Sequence, residues 1–81
     1  MGKDYNNPRK PVSSEKEVTV NGERRFFTPE TTLLDVVHAL HLEPERVAIE
    51  LNREIVKRER WSRTTFEGGS GIEIVQFVGG G

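Results

Sequence analysis

The sequence predicts an α+β domain in which a mixed sheet of about five strands, ordered β-β-α-β-β-β, packs on a single helix. Three observations carry that prediction. Two short alternating segments flank Asn21-Gly22, one amphipathic stripe follows between residues 31 and 42, and the apolar run Ile72–Val78 leads straight into Gly79-Gly80-Gly81.

The first strands come from Val18-Thr19-Val20 and Glu23-Arg24-Arg25-Phe26-Phe27. Val18 and Val20 alternate with polar neighbours, and Asn-Gly supplies the positive φ angles that a type I′ hairpin turn needs. The expected strands are about 17–20 and 23–28, the second ended by Pro29. Leu33, Val37 and Leu40 then recur at i, i+4 and i+7, with Leu34 and Val36 widening the stripe, as in a helix with one buried face. Thr32 and Asp35 stand at capping-box spacing, with Asp in place of the usual Glu or Gln, and Pro44 marks the stop. Val47–Leu51 alternates again, Asn52-Arg53 turns, and Glu54-Ile55-Val56 reads as a short fourth strand. Residues 57–65 are charged around Trp61 and suit one helical turn anchored by the indole. Gly68, Gly69 and Gly71 punctuate a loop. Ile72–Val78 is nearly continuous in apolar residues and is expected at the sheet centre, buried on both sides, with the last strand parallel to the first. That arrangement is the β-grasp, or ubiquitin-like, architecture.

Length and composition bound the function. An 81-residue chain is one small domain that buries only roughly 60% of the surface of its unfolded form, leaving no room for a deep catalytic cleft. Residues 1–16, with Asn6, Asn7, Pro8, Pro11, Ser13 and Ser14, are too polar to offset their ordering entropy and are expected to be a disordered extension. The expected domain is 17–78 and the flexible tail 79–81. A formal charge of -1 gives no general affinity for nucleic acid or acidic lipid. The local excess of +3 between Arg53 and Arg63 has no interleaved aromatics apart from Trp61, a poor pattern for nucleic acid. The chain has no cysteine, which excludes a disulfide framework, a thiolate zinc site and sulfur chemistry on its own thiol. No apolar run approaches a membrane span, no signal-peptide core follows the start, and Asn6 breaks a myristoylation motif at Gly2. A cytoplasmic location is expected.

Enzyme chemistry finds little support. Ser13, Ser14, Ser62 and Ser70 lack a nucleophile-elbow context. His38 and His41 stand three apart without a third ligand at metal-site spacing, so no metal is expected. Gly68-Gly69-Ser70-Gly71 precedes a strand rather than opening a helix and lacks the ending of a phosphate loop.

The glycine tail is different. Three residues without side chains hang from an apolar strand, and glycine passes where a backbone must thread a narrow space. A terminal carboxylate becomes reactive when its oxygen is made a leaving group, as adenylation would do. The tail alone leaves fraying open as the simpler alternative.

From about Val18 to Gly81 the chain resembles the sulfur-carrier proteins of thiazole biosynthesis in the thiamine pathway, the ThiS family. The likeness is carried by Val20-Asn21-Gly22, Thr32–Val37, the block Val47–Val56 with Ala48, Ile49, Asn52, Ile55 and Val56, the turn Arg58-Glu59-Arg60-Trp61, and Ile74–Gly81. The resemblance implies that the chain is not an enzyme but a carrier with no bound cofactor. Its Gly81 carboxylate would be adenylated, at the expense of ATP, by a ubiquitin-activating-like adenylyltransferase. Sulfur from a cysteine desulfurase relay would make it a thiocarboxylate, for use by thiazole synthase. Gly80 matches the family's terminal pair and Gly79 adds slack. Glu67-Gly68-Gly69-Ser70-Gly71 replaces the usual Asp-Gly-Asp before the last strand. For docking, the resemblance points to the exposed sheet face: Gln76 and Val78 as outward residues of the last strand, with Phe27 and Ile55 beside them and Arg58 and Arg60 steering toward an acidic partner. The alternatives are a related carrier for molybdopterin or tRNA thiolation, or a ubiquitin-like protein modifier.

Overall fold

The computed structural model describes residues 14–78; residues 1–13 and the tail Gly79–Gly81 lie outside the described residues. Five strands form one sheet in the order β2-β1-β5-β3-β4. β1 (Lys16–Val20) and β2 (Glu23–Phe27) form the expected hairpin. Asn21 and Gly22 both take positive φ, 51° and 86°, the signature of a type I′ turn. β1 begins at Lys16, one residue inside the segment expected to be disordered.

Helix α1 (Leu33–Ala39) is capped as its sequence indicates. The Asp35 amide donates to Thr32 Oγ1 at 3.1 Å, and the Thr32 amide donates to Asp35 Oδ2 at 3.0 Å. These bonds hold the Asp35 carboxyl below its ordinary range, the Thr32 backbone contributing most. The helix ends in a Schellman arrangement: the His41 amide donates to the His38 carbonyl and the Leu42 amide to the Val37 carbonyl, both at 3.0 Å. His41 occupies the left-handed position usually given to glycine, at φ 61°. A helix of 7 residues does not form alone in water, so packing holds it. Leu33, Val36 and Val37 are fully buried against Val18, Val20, Ile49, Ile72 and Ile74, and each such side chain contributes about 1.5–3 kcal/mol.

A single 3₁₀ turn at Pro44–Arg46, which the sequence pattern did not single out, leads into β3 (Val47–Leu51). β4 (Glu54–Val56) pairs antiparallel with β3 and is followed by a 3₁₀ segment, Arg58–Arg63. There Trp61 is buried, and its indole N–H donates to the Val56 carbonyl at 2.8 Å. Phe66, not anticipated as core, is buried too and meets Phe27 edge-on at 6.0 Å. The Lys16 ammonium lies 4.0 Å from the Phe66 ring centre and donates to the Pro29 and Phe66 carbonyls at 2.8 and 2.7 Å. It thereby ties β1 to two loops.

β5 (Gly71–Gln76) is central, as expected: parallel to β1 and antiparallel to β3. Its burial differs from the expectation. Only Ile72 and Ile74 are buried, whereas Glu73 and Val75 on the opposite face are exposed. One helix covers one side of this sheet, so the apolar character of Val75 is not a sign of core.

Candidate functional site

The candidate site is the end of β5 together with the uncovered face of the sheet. β5 is fixed on both sides before it reaches the tail. Toward β3, the ladder runs from the Asn52 amide bonded to the Gly71 carbonyl (2.8 Å) to the Phe77 amide bonded to the Arg46 carbonyl (2.7 Å). Toward β1, backbone pairing stops at Val20–Ile72 because the hairpin turns away. Asn21 continues it: its amide donates to the Ile72 carbonyl at 2.8 Å, and its side-chain oxygen accepts the Ile74 amide at 2.7 Å. Its side-chain nitrogen donates to the Ile74 carbonyl at 3.2 Å. The loop before β5 is tied as well. The Gly69 amide donates to the Glu17 carbonyl at 2.8 Å, and Gly71 to Asn52 Oδ1 at 2.9 Å. The segment Glu67–Gly71 is thus a loop with its own hydrogen bonds.

The docking residues do not form one surface. Register puts Ile55, Glu50 and Glu73 in one row on the uncovered face, with Ala48 and Val75 in the next. Ile55 is 76% exposed and Val75 60% exposed. Phe77, 55% exposed, follows Val75 at the two-residue period of that face. Gln76 does not face outward with them. It pairs with the buried Val47, on the helix side of the sheet, and is exposed only because the core ends there. Val78 is exposed beyond the strand. Phe27 is on β2, at the opposite edge of the sheet from Ile55, and is paired with Lys16 on the helix side, where it packs on Phe66. Gln76 and Phe27 are therefore corrected as outward residues; Val75 and Phe77 take their place. Strict alternation, with the charged Glu73 between Ile72 and Ile74, is the signal that separates the two faces.

Arg58 and Arg60 are exposed on the 3₁₀ segment after β4. With Lys57 and Arg63 they form no ion pair among the described residues. An open depression of about 570 Å³ is lined by Ile55 and by charges of both signs, Glu54, Lys57, Glu59, Arg60 and Arg63. No cluster of three or more metal-ligating side chains occurs among the described residues, and His41 serves the helix end. No helix among them is long and apolar enough to cross a membrane. Gly79, Gly80 and Gly81 lie outside the described residues.

One helix laid across a five-stranded mixed sheet, with its first and last strands parallel at the centre, defines a ubiquitin-like β-grasp protein. A ubiquitin-like domain of 18% identity superimposes with a TM-score of 0.58, which shows the fold alone. The ThiS family model matches residues 18–81, and the chain belongs to that family. It is similar to the thiamine biosynthesis protein (ThiS) of Geobacter metallireducens, with 32% identity and a TM-score of 0.68 over 80% of this chain and 99% of that one. It is 40% identical over 50 residues to the sulfur carrier protein ThiS of Bacillus subtilis, covering 62% of this chain and 76% of that protein. It is also 34% identical over 65 residues to the thiazole synthase of Paramagnetospirillum magneticum, covering 80% of this chain. The chain spans only 20% of the length of that thiazole synthase.

Proposed function

We propose that the chain is a sulfur carrier for the thiazole moiety of thiamine, acting in the cytoplasm as a co-substrate and not as an enzyme. The observation that carries this reading is the family match through residue 81, which makes the glycine tail part of the likeness. With Gly81 as the terminal residue, its carboxylate attacks the α-phosphate of ATP in an adenylyltransferase and pyrophosphate leaves. The terminal sulfur of a persulfide, supplied through a cysteine desulfurase relay, then attacks the carbonyl carbon and AMP leaves. A second thiol cleaves the resulting acyl disulfide, forming a disulfide with the relay cysteine and releasing the thiocarboxylate. Thiazole synthase is the proposed acceptor, supported by the thiazole synthase whose own polypeptide includes a stretch similar to this chain.

The fold's contribution is positional. β5 is held on its β1 side as far as Ile74 and on its β3 side as far as Phe77, so the chain leaves the sheet from a fixed point. Docking engages the uncovered face through Ile55, Val75, Phe77 and Val78, while Arg58 and Arg60 accelerate encounter with an acidic surface. Gln76 borders this surface from the helix side, and Phe27 is assigned to the core.

Intact mass after incubation with the adenylyltransferase, ATP and sulfide tests the reading. The expected product has one oxygen replaced by sulfur, and the reaction is lost when Gly81 is deleted or one residue is appended to it. Unchanged mass for the wild type, or conversion of the extended chain, overturns it.

A further inference from the structure

The uncovered face has a charge arrangement that its own chain does not balance. Glu50 and Glu73 stand directly opposite each other across β3 and β5. The bonds at the two ends of that ladder, Asn52 to Gly71 and Arg46 to Phe77, put this pair at a hydrogen-bonded position, where Cα atoms lie about 5.5 Å apart. Both carboxylates are exposed, and neither has an ion-pair or hydrogen-bond partner among the described residues. Like charges in such a pair repel.

Their neighbours are apolar. Ile55 follows Glu50 in the same row, Ala48 and Val75 occupy the next, and Phe77 leads toward the tail. A partner that covers Ile55, Val75 and Phe77 also strips water from the two glutamates. Buried carboxylates without a cation are strongly unfavourable, so an uncharged apolar surface over this pair gains little and an acid set directly on it is rejected, whereas acidic groups farther out can still meet Arg58 and Arg60. A forked guanidinium meets two carboxylates at once.

Resting on the carrier reading, we propose that this face docks on a tail-receiving enzyme whose contact surface is apolar with one arginine or lysine at its centre, seated between Glu50 and Glu73. Along the β4 side charges of both signs, Glu54 and Glu59 with Lys57, Arg60 and Arg63, border the pair, so the central position is the one place on this face, among the described residues, where two acids stand together.

The test titrates the wild type and the double variant Glu50→Gln/Glu73→Gln against the adenylyltransferase and against thiazole synthase by calorimetry. The variant is expected to bind at least one of them about tenfold more weakly, while its own denaturation midpoint stays level or rises as the repulsion is removed. Glu73→Gln alone repeats the measurement if the double variant unfolds. Equal affinities of wild type and variant for both enzymes overturn the proposal and leave the carrier reading standing. A wild type that binds neither enzyme overturns both.

Discussion

The side-chain amide of Asn21 hydrogen-bonds to both the N–H and the C=O of Ile74, across 53 positions of sequence. One side chain thus does the work of a further strand residue where β1 turns away. Removing it leaves two β5 backbone groups without partners in a partly buried place. Asn21→Gly keeps the positive φ of the turn and loses only these bonds, and is expected to cost roughly 2–3 kcal/mol. Urea denaturation measures the loss, and faster exchange of the Ile74 amide locates it.

Trp61 couples the 3₁₀ segment to β4. Trp61→Phe keeps most of the ring volume but leaves the Val56 carbonyl without its donor, at a cost of about 1–3 kcal/mol. Trp61→Ala adds a cavity and is expected to cost about 3–5 kcal/mol. Both are read from chemical denaturation.

His41 and Arg53 hold positive φ of 61° and 72° without being glycine. Asn21 and Asn52 share the geometry but are well suited to it. His41→Gly and Arg53→Gly are each expected to stabilise the fold by about 0.5–1 kcal/mol, seen as a higher Tm, because the Cβ penalty outweighs the added freedom of the unfolded chain.

The Asp35 carboxyl is lowered by its bonds to Thr32, the backbone one first. A depressed folded value means its contribution is present above the unfolded value and lost as pH falls through the folded one. Stability is therefore expected to drop on acidification through the lower carboxylate range. Asp35→Asn reduces that slope and is less stable at neutral pH. Thermal melts across pH check both.

Gly80→Ala is expected to retain the wild-type Tm. Carrying the tail into a narrow site, it is expected to lower kcat/KM for adenylation by about tenfold or more. A pyrophosphate-release assay reads the effect.

Much of this fold was legible because local signals agreed with the global arrangement. Asn21-Gly22 marked a turn, Thr32 with Asp35 matched a helix start, and the stripe Leu33-Val37-Leu40, widened by Leu34 and Val36, had one face to bury. The central place of β5 was legible from its apolar content, but that same content misled about its two faces. Val75 and Phe77 read as core by composition, and pairing register was needed to put them on the uncovered side. Phe27 was misplaced for the converse reason: its environment is set by Phe66, 39 positions away along the chain. The side-chain bonds of Asn21 to Ile74 were likewise beyond any local pattern, since they exist only once β1 and β5 lie side by side.

The parallel placement of β1 beside β5, with β3 antiparallel on the other flank, also has a mechanical meaning. A pull applied at Val78 runs along the axis of the middle strand. The bonds on both flanks lie across that axis and are loaded together in shear; they are not peeled one after another. The domain is thus built as an anchor that resists traction on its own terminus.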